Sequence, residues 1–187
     1  MYIAIFLKLF IFLSTLVCFY EGKHFYDDRE SRGKTTTKIY DVSHKYLPDL
    51  SKIPYIDLIA NSIILLPLLL NSGDRQDYVG YLLVILAIRA VFISSTILPK
   101  DKSCCDKVGI STFVFGHCYD KMFSGHFAAV FLFSLIYSKH TSNIWGLVLL
   151  NILNTLVILT RRAHYTIDVL ASFFITLFVF QNKLKAF

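Results

Sequence analysis

The sequence has no Cys-x-x-Cys pair among its four cysteines, and the spacing of His117, Cys118 and Cys104 fits no common zinc pattern, so no metal site is expected. It also lacks a basic stripe. Its Lys and Arg residues give a net charge of +6 but lie scattered in short loops between apolar blocks, which points away from nucleic acid and towards anionic lipid head groups. Missing too is any helical or strand-period alternation of apolar with polar residues. With 55% hydrophobic and 16% aromatic residues gathered into blocks, the expected solvent for most of the chain is lipid.

The blocks imply an all-α polytopic membrane protein with six crossings. A first span covers Met1 to Tyr20, interrupted only by Lys8; no basic leader or small-residue cleavage site marks it as a cleaved signal. Residues 21–54 form a polar loop with seven Lys or Arg against six Asp or Glu. Weaker than the others, the second span runs from about Tyr55 to Leu70 and is broken by Asp57, Asn61 and Pro67. The third is Tyr78 to Leu98, after a turn at Asn71-Ser72-Gly73-Asp74 and before Pro99. Spans four to six are Met122 to Ser138, Asn143 to Thr160 and Tyr165 to Phe180. The expected organisation is therefore residues 1–54, a first helix with its loop, and residues 55–187, a five-helix core. Six crossings put the loops after spans one, three and five on one face.

Two motifs on that face carry chemistry. In Asp120-Lys121-Met122-Phe123-Ser124-Gly125-His126, Ser124 and Gly125 open a helix, offering a hydroxyl cap and backbone N–H groups to an anion, with His126 in the first turn. A simple N-cap with an interfacial His is the plainer alternative. In Arg161-Arg162-Ala163-His164-Tyr165-Thr166-Ile167-Asp168, His164 and Asp168 are four apart and share a helical face. A carboxylate in an apolar helix is costly unless paired, so it either orients the imidazole for catalysis or ties two helices together. Two imidazoles, a carboxylate and the Arg161 and Arg162 guanidinium groups suit phosphoryl transfer. Arg89, deep in span three, needs either Asp57 or a lipid phosphate as partner.

Cys118-Tyr119-Asp120-Lys121-Met122-Phe123-Ser124-Gly125-His126 resembles the sphingomyelin synthase motif of Cys, any residue, Asp, two residues, an aromatic residue and Ser-Gly-His. His164-Tyr165-Thr166-Ile167-Asp168-Val169 resembles that family's His-Tyr-Thr/Ser-x-Asp-Val motif, and Leu47-Pro48-Asp49 and Arg89 with Thr96, Leu98 and Pro99 agree more weakly. The resemblance covers about residues 46 to 182 and implies the phosphatidic acid phosphatase type 2 superfamily. The Lys-x6-Arg-Pro motif usual in the superfamily's lipid phosphatases is absent, which favours the synthase branch over the phosphatase alternative.

By that resemblance, His164, oriented by Asp168, attacks the phosphorus of a glycerophospholipid donor while His126 serves the leaving oxygen, and ceramide is the acceptor. Ser124, Gly125, Arg89, Arg161, Arg162 and Tyr165 would bind substrate, and Asp120 matches a family carboxylate near the site. No cofactor is implied. Phosphocholine and phosphoethanolamine are the first-named head groups, although Arg162 matches a basic residue of inositol phosphorylceramide synthases. Phe127 and Ala163 depart from the family pattern and leave head-group choice open, as the oligomeric state is, a homo-oligomer included.

The resemblance implies a multi-pass protein of Golgi, endoplasmic reticulum or plasma membrane with its site facing the lumen or exterior, where Cys118 could pair with Cys104 or Cys105. Loop charge argues the reverse: the site face carries thirteen loop Lys and Arg residues against four on the other, which by the positive-inside rule is cytosolic.

Overall fold

A computed structural model describes residues 40–95 and 122–186. Asp120, the cysteines of the loop before span four, Thr96 to Pro99 and the first span lie outside the described residues. Every regular element among the described residues is helical, as the block pattern implied. In chain order these are α1 (Val42–Tyr46), α2 (Pro54–Ile63), a 3-10 turn (Leu66–Leu69), α3 (Ser72–Ser95), α4 (Gly125–Tyr137), α5 (Ile144–Thr160) and α6 (Thr166–Gln181).

Local chemistry sets the boundaries. Asn143 accepts from the Gly146 N–H at 2.9 Å and starts α5, and Ser124 accepts from the Phe127 N–H at 3.3 Å and starts α4. The expected turn at Asn71-Ser72-Gly73-Asp74 is instead the first turn of α3, because the Asn71 side chain accepts from the Asp74 N–H at 2.9 Å and its carbonyl accepts from Arg75 N–H at the same distance. The expected second span is not one helix: α2 ends at Ile63 and the chain tightens into a 3-10 turn around Pro67, which has no N–H to continue an α-helical ladder.

α4 is the central helix, packing against α6, α3 and α5. It can fill that place because it is apolar on every side; Ala128, Leu132 and Ile136 on it are fully buried, with Ile85 of α3 and Val179 of α6 around them. Phe123 closes this core from above at 0% exposure, in a left-handed conformation with φ 79°. A second cluster of Phe127, Ile158, Leu159 and Val169, with Leu47 packed on it, lies beneath the entries of α4 and α6.

The six-crossing expectation meets a limit here: among the described residues no helix is long and apolar enough to cross a membrane. α3 has 24 residues but carries Asp74, Arg75, Asp77 and Arg89. α4, α5 and α6 are apolar, yet their 13, 17 and 16 residues span only about 20 to 26 Å at 1.5 Å per residue. Their outward faces nevertheless present large apolar side chains, Trp145, Leu149 and Leu153 on α5 and Phe174 and Phe178 on α6.

Candidate active site

The histidines of the two motifs are 38 residues apart in sequence, and the motifs meet at one end of the bundle. The Ser124 N–H, just before α4, donates to the Asp168 carbonyl in the first turn of α6 at 3.4 Å. That backbone bond joins the two helix entries and brings His126, His164 and Asp168 to one end.

Asp168 is fully buried. Its Oδ2 accepts from the Tyr165 N–H at 2.8 Å, satisfying one of the unpaired donors at the start of α6, and lies 3.5 Å from His164 Nδ1. Its Oδ1 is also buried and has no hydrogen-bond partner among the described residues. A carboxylate placed so strongly favours a neighbouring positive charge, and the imidazole of His164, with a side chain 12% exposed, is the group in contact with it.

His126 stands in the first turn of α4, where Nε2 is 3.3 Å from Asn61 Oδ1 on α2. A carbonyl oxygen only accepts, so this contact keeps a proton on Nε2. His164, Arg161 and Arg89 all lie within electrostatic reach of His126. Arg89 is further placed by Gly125: a Cβ there would meet the Arg89 Nε at 3.5 Å and Cδ at 3.6 Å, so the guanidinium stem lies across the start of α4. The structure thus brings the residue from mid-α3 to the His motifs; the side chain of Asp57, its alternative partner, is not among those described.

Arg162 has a different setting from the one the sequence implied. It is buried, takes a left-handed φ of 61°, and donates from Nη2 to the Leu47 carbonyl at 2.9 Å. Its Nη2 thus anchors the segment before α2. Arg161, the C-cap of α5, is half-buried, and Tyr165 is buried with its ring 5.1 Å from that of His44.

Three residues at this end escaped the sequence reading. Asn61 counted there only as an interruption of a span. Asp41 caps α1, accepting from the His44 N–H at 3.0 Å and the Ser43 hydroxyl at 2.5 Å, and also receives the Thr166 N–H at 2.7 Å and hydroxyl at 3.1 Å. Burial alone would raise its pKa, but the hydrogen bonds from Ser43, Thr166 and His44 outweigh it and hold the carboxyl below its ordinary value. His44 in turn places Nε2 3.0 Å from the His164 carbonyl. The one signal available was an Asp three residues before a His in a polar loop, the spacing of a side-chain N-cap.

A groove of about 460 Å³ begins at Phe127, the residue after His126, and follows α4 and α5 as far as Ser138 and Ile144. Phe131, Leu135, Leu147, Val148 and Phe173 make its walls almost wholly apolar. The few polar groups include Ser134 and Asn151, which bond to each other at 2.8 Å.

Two imidazoles, a buried carboxylate and two guanidinium groups therefore gather at one end of the bundle, near the Phe127 end of an apolar groove. Residues 117–185, from just before the first His motif to just past the end of α6, match the family model "PAP2 superfamily C-terminal". The resemblance to the sphingomyelin synthase-like family stands: the chain is 34% identical over 116 residues to a Phosphatidylinositol:ceramide inositolphosphotransferase of Trypanosoma cruzi (strain CL Brener), a match covering 52% of this chain and 35% of that relative. The chain therefore spans about a third of the length of the curated relative it matches. No solved structure matches it.

Proposed function

We propose that the protein is a membrane-embedded sphingolipid synthase that moves a phospho-alcohol head group from a glycerophospholipid to ceramide and releases diacylglycerol. The observation that carries this reading is the Ser124 to Asp168 backbone bond, which sets both His motifs at one end of the bundle, with Phe127, next to His126, lining the apolar groove. The outward apolar faces of α5 and α6 support the membrane setting.

In this reading His164 Nε2 attacks phosphorus while Asp168, at Nδ1, favours the cationic ring that results. The bond from phosphorus to the diacylglycerol oxygen breaks, and protonated His126 gives that oxygen its proton. A ceramide hydroxyl then attacks the phospho-histidine, passes its proton back to His126 and returns His164 to its starting state. Arg89 and Arg161, with the N-terminus of α4, balance the charge on the non-bridging oxygens. The hydrocarbon of a lipid occupies the groove below Phe127. Phosphatidylinositol becomes the first donor to test, since it is the one in the name of the trypanosomal relative.

Purified chain in detergent, given phosphatidylinositol, phosphatidylcholine or phosphatidylethanolamine with fluorescent ceramide, is expected to yield a new ceramide product with one donor preferred. Release of phosphate from phosphatidate at the same rate with and without ceramide would turn the reading into that of a lipid phosphatase, with water as acceptor. Turnover is expected to persist in excess chelator, because the nucleophile, the acid and the orienting carboxylate are all side chains; its loss would count against this chemistry.

A further inference from the structure

We propose that the turn carrying Asp41 and His44 is a positioning element for His164: neither residue touches the reacting atoms, and both fix where the imidazole stands. The inference rests on the assignment of His164 as nucleophile given above.

The stretch from Arg161 to Tyr165 has no regular structure and joins α5 to α6. Such a connection has no repeating hydrogen-bond ladder of its own to hold a side chain to within fractions of an ångström. Here residues 41–50 brace it from outside at four successive points. The Leu50 N–H donates to the Thr160 carbonyl at 2.9 Å, and the Leu47 carbonyl receives Arg162 Nη2 at the same distance. His44 Nε2 donates to the carbonyl of His164 itself at 3.0 Å, because a carbonyl can only accept, and the His44 ring rests against Tyr165. Asp41 takes both the N–H and the hydroxyl of Thr166.

His164 is therefore bounded on both sides by peptide groups tied to a segment more than a hundred residues upstream. Asp168 orients the ring of His164 from the helix side, and the Asp41 to His44 turn fixes its backbone from the loop side. Asp41 is itself preorganised: its Oδ1 is engaged by Ser43 and the His44 N–H, which leaves Oδ2 aimed at Thr166. The two residues act as one unit, since the carboxylate that caps α1 also presents the His44 ring to His164.

The test uses the full chain in detergent, with His44→Ala, His44→Gln and Asp41→Ala. Two quantities are read: kcat and KM for the preferred donor, and the rate of His164 carbethoxylation by diethylpyrocarbonate, followed by peptide mass spectrometry. In His44→Ala, kcat is expected to fall about 10- to 100-fold, the cost of a sub-ångström to 1 Å displacement of a reacting group, with KM nearly unchanged. Carbethoxylation of His164 should become several-fold faster in both alanine variants. His44→Gln, which keeps an N–H donor of similar reach, is expected to recover part of the loss.

Wild-type kcat together with wild-type labelling in His44→Ala overturns the proposal. So does a loss that His44→Gln does not relieve and that tracks a lowered melting temperature, the mark of general destabilisation. If the wild-type chain transfers nothing, the reaction assignment falls, and the labelling comparison still decides whether the turn positions His164.

Discussion

His164→Ala is expected to reduce ceramide product by at least about three orders of magnitude, the scale seen when a covalent nucleophile is removed and only binding and electrostatics remain. The size follows from what the ring does in the proposed cycle: it forms the bond that splits one hard displacement into two. No neighbouring group can replace it, because Asp168 is buried, already accepts the Tyr165 N–H, and sits on the far side of the imidazole from phosphorus. The fold should survive. The His164 side chain belongs to neither apolar core cluster, and the carbonyl that His44 engages remains in an alanine variant. The check is a paired measurement of product formation and melting temperature; retained turnover in a folded variant would remove His164 from the mechanism. Acid-quenched enzyme given head-group-labelled donor should carry label in the wild type and none in the variant.

His126→Ala is expected to cost about 10²- to 10⁴-fold with a natural donor, and far less with a donor whose leaving group needs no proton. Diacylglycerol departs as an alkoxide unless protonated, whereas p-nitrophenolate leaves unaided. A p-nitrophenyl phosphodiester of the same head group therefore separates the roles of the two histidines in its first step. His126→Ala should release p-nitrophenol at close to the wild-type burst rate, while His164→Ala should release almost none. Equal impairment of both variants with both donors would mean that His126 binds or positions substrate instead of serving as acid. Asn61 bears on the same result, since its contact with Nε2 holds the His126 ring in place.

Much of this was legible in the sequence because it is encoded locally. The reading of α5 as Asn143 to Thr160 matches the helix almost residue for residue, as an Asn cap and an unbroken apolar run leave little choice. Gly125 and His126 fall in the first turn of α4 for the same reason. The errors came where one residue type serves two ends. Asn71 and Gly73 are turn formers, yet Asn71 caps a helix; Pro67 was counted as an interruption within a span, yet it ends the α-helical geometry outright.

What the sequence could not show is non-local. Asp41 and Thr166 are 125 residues apart, and Arg162 and Leu47 are 115 apart. No periodicity links such pairs, so Arg162 read as a phosphate ligand from its neighbours in sequence, while its Nη2 faces a carbonyl of the upstream segment. The two His motifs were expected on one face from the parity of the crossings alone. The bond between Ser124 and Asp168 reaches the same juxtaposition by a route that requires no count of spans.

Phe123 and Arg162 both hold left-handed backbone, and each stands just ahead of a site histidine, His126 or His164. A side chain there costs on the order of 1 kcal/mol, and a β-branched one more. Over evolutionary time these two sites should therefore drift slowly, with glycine or asparagine the substitutes the backbone accepts most readily. The outward face of α5, with Ile144, Trp145 and Leu149, has no such restriction and is free to exchange one apolar residue for another. Divergent descendants of this chain should thus keep their joints longer than their coats, and a distant relative is best sought by the left-handed residue ahead of each site histidine as well as by the histidine itself.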